Sequence, residues 1–282
     1  MKKIAWVTDS TAFLDEELKN NPDVYQLPMT IVLDGKEYLD GIDLSARELY
    51  EKLKTLKSPP KTSQPAVGAF KDLYEKLEKE YDEVISLLVS SKLSGTVQSS
   101  EQAAQLVGIP VSTIDSKTLT YMLTALIKKG MAWIDEGLSV EQVKEKLKKV
   151  SQSGETYVLI GSLEQLHRSG RMSGVQFFLG SMLNVKPIIT LQNGELSTKA
   201  KARSDNKAKE KIFDLVAAGY DRAKFKEAFI LYGLHEQVAD EWKSELKQKF
   251  PQIHFSTYPL AAVIGVHAGE HTIGVSWFNE QG

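Results

Sequence analysis

The 282-residue chain contains no cysteine. Disulfides, thiolate metal sites and cysteine nucleophiles are therefore excluded, and the composition suits a reducing cytoplasm. Arginine is scarce, with five residues against thirty lysines. Neither sign of charge dominates. A formal net charge of −2 gives no footprint for a polyanion and argues against a nucleic-acid partner. No apolar run approaches the roughly 18 residues expected of a spanning helix. The start "MKKIAWVTDS" has too short an apolar stretch for a signal peptide and reads as a first strand. The patterns G-x-x-x-x-G-K-[ST], G-x-G-x-x-G and G-x-S-x-G are all missing, which removes the P-loop, the dinucleotide fingerprint and the nucleophile elbow.

What is present is an alternation of β-rich and amphipathic stretches. "KIAWVTDS", "EVISLLV" and "PVSTID" read as buried strands, with helices at "AFKDLYEKLEKEY", "TVQSSEQAAQLV" and "SVEQVKEKLKKVSQS" between and after them. Asp34-Gly35 and Asn193-Gly194 are hairpin signals. Ser45 stands as a cap before "ARELYEKLKTLK". Strands alternating with helices predict a largely parallel sheet covered on both faces. The polar "SQSGE" at 151–155 follows a charged helix and precedes a restart of the pattern. The expected architecture is α/β in two domains, 1–153 and 154–282.

Small polar groups recur at the ends of these strands, where open α/β sheets bind ligands. Seven of the eleven residues in "SSKLSGTVQSS" (90–100) are Ser, Thr or Gly. "TDS" (Thr8, Asp9, Ser10) ends the first strand, and "TSQP" (Thr62 to Pro65) precedes a helix. Helix N-termini at "TSQP" and "SGT" (Ser94, Gly95, Thr96) are expected to converge on one oxyanion, with Gly95 allowing close approach to the backbone. Each hydroxyl taken singly is equally a structural cap.

His267 and His271 stand in "VIGVHAGEHTIGV". Gly269 between them and the β-rich residues after them argue against a shared helix face, so no metal site is expected there. His267 reads as a glycine-flanked loop residue that donates to an anion, helped by its capacity to be cationic near neutral pH. Arg168, Arg171 and Arg203 form the one concentration of arginine, suited to planar contacts with phosphate or carboxylate.

Taken in order, "TDS", "TSQP", "SSKLSGTVQS", "IDS" (114–116), "LEQLHRSGR", "KPI" and "HAG" resemble the DegV family of bacterial fatty-acid-binding proteins, from residue 8 to about 275. The resemblance implies a two-domain α/β protein with an interior ligand tunnel between sheet and helices. One long-chain fatty acid would be its ligand, with no cofactor and no chemistry of its own. Members of the FakB type present the carboxylate to an ATP-dependent fatty acid kinase for acyl phosphate formation, feeding phospholipid synthesis, with transient exchange at a membrane surface. By motif, the carboxylate ligands fall on Thr62, Ser94 and His267 with the Gly95 backbone, and Arg171 and Arg203 on the surface that meets the kinase. The family's H-x-G-P-G is here interrupted, because Glu270-His271 replace Pro-Gly. "LTYMLTAL" (119–126) and "VQFFLGSML" (175–183) are the expected tunnel walls. Burial of an acyl tail at about 0.8 kcal/mol per methylene would supply on the order of 10 kcal/mol before association costs.

Two other readings remain open on sequence alone. One is a serine-dependent hydrolase with Ser94 as nucleophile, His267 as base and Asp9 as orienting acid. The other is a binder of a compact carboxylate or phosphate.

Overall fold

A computed structural model describes residues 2–172 and 185–279. The first strand, β1 (Ile4–Asp9), is buried along its whole length, as a strand covered on both faces must be. Helix α1 (Glu16–Lys19), capped by Asp15, leads to β2 (Val24–Leu27). Pro28 has no amide proton for a ladder, and β3 (Thr30–Leu33) beyond it joins a different sheet. β3 and β4 (Lys36–Leu39) form the hairpin expected at Asp34-Gly35, whose φ angles of 47° and 83° are both positive. In α2 (Ala46–Leu53), Ser45 and Glu48 form a reciprocal capping box. β5 (Lys61–Ser63) returns antiparallel to β3 and completes a small sheet of order β4-β3-β5.

The chain then enters α3 (Val67–Leu77), β6 (Glu83–Leu88), α4 (Thr96–Ala104) and β7 (Val111–Asp115). β2-β1-β6-β7 is a parallel sheet, as expected. Helices α5 (Tyr121–Asp135) and α6 (Val140–Gln152) close the first half.

β8 (Gly154–Leu159) begins inside the expected boundary region. It is followed by α7 (Leu163–Arg168), β9 (Lys186–Gln192), β10 (Glu195–Ala202) and α8 (Asp205–Ala223). The remaining elements are β11 (Glu227–Tyr232), α9 (Glu236–Lys249), β12 (His254–Pro259), α10 (Ala262–Ala268) and β13 (Ile273–Phe278). The six strands pair in the order β10-β9-β8-β13-β11-β12. Here the parallel expectation fails, because β11–β12 is the one parallel pair. The Asn193-Gly194 turn reverses β9 straight into β10, and β13 enters between β8 and β11 running opposite to both. Alternation of helix and strand along a chain does not record such an insertion.

No described strand before residue 154 pairs with one after it. The halves are nevertheless joined by two apolar clusters: Leu49, Tyr50 and Val89 share one with Ala262, Val263 and Val266, and Leu123 and Leu126 of α5 share the other with Phe229, Leu231, Leu260 and Phe278. Tyr121 stacks face to face on Tyr258 within that contact. Polar links cross as well, one of them the Ser90 hydroxyl donating to the Gly194 carbonyl at 2.7 Å.

Candidate functional site

Where the ends of β5, β6 and α10 meet the start of α4 there is a cavity of about 100 Å³. Thr11, Thr62, Ser94, Arg171 and His267 supply polar groups to its wall, and Met29, Val89, Leu93, Leu119, Val263 and Ile264 make much of the rest apolar.

His267 lies in the last turn of α10 and not in a loop. The residue before this helix, Ala261, has no capping side chain. The missing acceptor comes from Asp40, whose carboxylate takes the Val263 amide proton at 3.2 Å across 223 positions of sequence. Gly269, at φ +83°, ends the helix immediately after His267 and Ala268.

Thr62 sits in β5 opposite Ile31 of β3, and its hydroxyl is 2.8 Å from His267 Nε2. "TSQP" is therefore a strand end and not a helix N-terminus. Pro65 holds the preceding residue extended, and α3 starts only at Val67, with no side-chain cap. Of the two helix N-termini expected to converge, the cavity has one, that of α4. Gly95 is its N-cap and makes no side-chain cap bond, while Ser94 Oγ turns to Thr96 Oγ1 at 2.8 Å. The first-turn amides of α4 therefore have no capping side chain of their own and carry the partial positive charge of the helix end. A Cβ at Gly95 would come within 2.9 Å of Gln64 Nε2, so the bare glycine lets Gln64 lie over the turn.

The charge expected on His267 is not present at neutral pH. Burial, with the Arg171 guanidinium adding to it, pushes its pKa down to about 4. A neutral Thr62–His267 pair holds one hydroxyl proton and one ring proton, and their mutual bond uses one of them. The other is left to donate, either from Thr62 Oγ1 or from His267 Nδ1, which is buried without a partner. Arg171, expected on a partner-facing surface, stands on the cavity wall, with Nη1 on the Ser169 carbonyl at 2.5 Å. Arg203 is exposed between β10 and α8 and is not on that wall. His267 also lines a second, outer cleft of about 320 Å³ with Pro60, Ser162, Gln165 and Arg168. Its ring thus stands between the interior cavity and the surface.

The hydrolase constellation is not assembled. Asp9 is fully buried, with Oδ1 accepting from Thr11 in the turn after β1 and Oδ2 from the Val89 amide at 2.8 Å at the end of β6, so both oxygens are engaged in structural bonds. Burial raises its pKa in spite of these bonds. Ser94 bonds Thr96 and His267 bonds Thr62, so the expected Ser94–His267 pair is not formed. His271 stacks on His235. Other hydroxyls of "SSKLSGTVQSS" are structural: Ser90 holds Gly194, and Ser91 holds Asp115.

Of the expected tunnel walls, Leu119 reaches the cavity while Tyr121, Met122, Leu123, Ala125 and Leu126 fill the shared core. Val175 to Leu183 lie outside the described residues. Sequence reasoning missed Asp40, for which a lone acid far from the motifs gave no signal. It also missed that Leu119 is flanked by non-glycine residues of positive φ, Lys117 (53°) and Thr120 (66°), a strained turn of the kind found at ligand sites.

The family model described as the DegV family matches residues 3–280 of this chain. The chain is similar to a DegV family protein from Thermus thermophilus, described by its fatty acid binding, with TM-score 0.90 and 31% identity over 98% of this chain and 99% of that one. It is also similar to DegV of Bacillus subtilis, described as a fatty acid binding protein, with TM-score 0.89, 33% identity and 99% of each chain covered. A stearic acid-binding protein from Eubacterium ventriosum matches with TM-score 0.88 and 27% identity, over 98% of this chain and 97% of that one.

Proposed function

The chain belongs to the DegV family, and from that premise we propose that it is a non-catalytic carrier of one long-chain fatty acid. The carboxylate is received by Thr62, Ser94, His267 and the Gly95 backbone at the start of α4. The observation that carries this reading is the neutral Thr62–His267 pair, one proton in hand, set with Arg171 on the wall of a mainly apolar cavity. A carboxylate accepts and cannot donate, so a donor pair, an uncapped helix end and one guanidinium match it. The related proteins named above support the lipid as the ligand class.

The space of about 100 Å³ is below the roughly 300–1,000 Å³ of common ligand pockets. In this reading the acyl tail gains its room by moving apolar wall residues such as Leu93, Leu119 and Ile264. Those side chains face the cavity without polar partners to lose.

The finer role is delivery of the carboxylate to an ATP-dependent fatty acid kinase in the cytoplasm, for acyl phosphate formation and phospholipid synthesis. His267, shared by the cavity and the outer cleft, supports it, since a bound head group there lies one side chain from the surface. Arg203 is exposed for docking, and Arg171 serves the carboxylate first. Displacement of a fluorescent fatty acid tests the ligand class: palmitate and oleate compete, whereas acetate and inorganic phosphate do not. Competition by the compact anions alone overturns the proposal. Adding the protein to such a kinase with ATP and oleate should yield hydroxylamine-trappable acyl phosphate, and Arg203→Glu should lower its rate without altering oleate affinity.

A further inference from the structure

Outside the cavity, the loop after α10 and the loop after β11 are pinned together by their backbones. The Gly233 amide donates to the Thr272 carbonyl at 2.8 Å, and the Leu234 amide to the Glu270 carbonyl at 2.9 Å. Gly233 is required for this approach, because a Cβ there would lie 2.5 Å from the Glu270 carbonyl oxygen. The register sets His235 against His271, with ring centroids 4.4 Å apart and planes inclined by 13°. Glu270 adds a carboxylate oxygen 3.5 Å from His271 Nε2. One ligand atom from each of the three residues falls within 4.8 Å of the others.

We propose that His235, Glu270 and His271 form a binding site for a divalent transition-metal ion, of which Zn²⁺ is the best fit. Two imidazoles and one carboxylate are a donor set that zinc takes in tetrahedral geometry, leaving the fourth position to water or an anion. Bonds of about 2.0–2.1 Å place tetrahedral ligand atoms roughly 3.4 Å apart. The three groups must close by only about 1.5 Å, which side-chain rotation of His271 and Glu270 supplies. The His271 side chain is 66% exposed.

His235 provides an independent pointer. It occupies the N-cap position of α9 yet makes no cap bond, and its Nε2 is buried without a hydrogen-bond partner. An orphaned ring nitrogen costs stability unless something takes its lone pair or its proton, and a metal ion does the former. His235 and His271 line a cleft of about 480 Å³ that also carries Lys186, Asp205, Lys209 and Glu241, so an ion has an open approach to the two imidazoles. Bound there, the ion fastens the end of β11 to the turn that ends the His267 helix. Its affinity does not depend on what occupies the interior cavity.

The test uses untagged, chelator-treated protein. Zn²⁺ is titrated calorimetrically, and Co²⁺ is titrated by its visible absorption, which reports nitrogen and oxygen ligands directly. The expectation is saturable 1:1 binding. His235→Ala and His271→Ala should each weaken it by more than about tenfold, and Glu270→Gln by about tenfold. His254→Ala serves as control, because His254 pairs with Glu227 at the opposite end of β11 and should leave affinity unchanged. A Zn²⁺-induced rise in thermal midpoint, seen in the wild type and lost in the His235→Ala/His271→Ala double variant, reads the same site without relying on spectra. The proposal is overturned if no saturable 1:1 binding occurs, or if the double variant binds as tightly as the wild type. Unchanged affinity in Glu270→Gln overturns the three-ligand assignment.

Discussion

Thr62 and His267 share a hydrogen bond and keep one proton to give, which is the property a carboxylate site needs from neutral residues. Removing either hydroxyl that faces the cavity takes away a donor to a charged acceptor, worth about 1.5–3 kcal/mol. Thr62→Val and Ser94→Ala are therefore expected to weaken fatty acid retention by roughly tenfold to a hundredfold in a displacement titration, and unchanged affinity in both would remove them from the head site. The ionisation of His267 gives a second check. Its ordinary pKa of 6.5 falls to about 4 in the fold, so between these values the unfolded chain binds the extra proton. The stability this residue contributes is complete above pH 6.5 and is lost as pH falls toward 4. Asp40 works in the opposite sense. Burial lifts its carboxyl from 3.8 to about 6, so the folded state holds the proton and loses stability as pH rises across that range. Urea midpoints of His267→Gln and Asp40→Asn, each compared with the wild type at pH 4.5 and 7, should diverge. The first gains relatively at acid pH and the second at neutral pH, each by on the order of 2–3 kcal/mol. Shifts in the same direction would contradict the assigned burial of one of the two.

At the scale of elements, α10 decides whether the site exists, and it was the element hardest to read. Its start is held by Asp40 from a distant part of the chain, and its seven residues are too few to show a helical period. A long-range cap leaves no local trace, so His267 reads as a loop residue in sequence. The two hairpins were legible for the opposite reason. Asp34-Gly35 and Asn193-Gly194 must both adopt positive φ, a demand that the residue types themselves announce. "TSQP" misled because a Ser/Thr cluster ahead of a helix looks like a cap. Thr62 is in fact used by a three-residue edge strand, whose pairing to β3 is a tertiary event. Thr62 nevertheless lines one cavity together with Ser94 and His267. Gly269 stops α10 at φ 83° and ψ 160°, a region open to glycine alone, and a Cβ there would meet Ser162 Cβ at 2.8 Å. Gly269→Ala is expected to cost about 2–4 kcal/mol in urea unfolding and to weaken lipid binding along with it. Loss of stability with full affinity would separate α10 from the head site.

At the scale of the molecule, the sheets divide near residue 153 but the core does not. α5 contacts both β6 and β11, and its apolar side chains share a cluster with β11, β13 and the residues around Leu260. We expect a single cooperative thermal transition, because neither half buries its side of α5 alone. Two separated calorimetric transitions would show that the halves fold independently. The antiparallel order of the second sheet was out of reach of the sequence, since β13 inserts between strands that precede it by many residues. In this arrangement the cavity draws its wall from both sides of the divide, with Thr62 and Ser94 before it and Arg171 and His267 after it. That union is what the lipid-carrier account depends on. Native mass spectrometry of the protein purified from cells, with extraction and identification of what it carries, tests it most directly. The account predicts one long-chain fatty acid per chain, depleted in the Thr62→Val/Ser94→Ala variant. Repeated preparations that carry no lipid and take up no acyl chain, or that carry a compact polar anion, would contradict it.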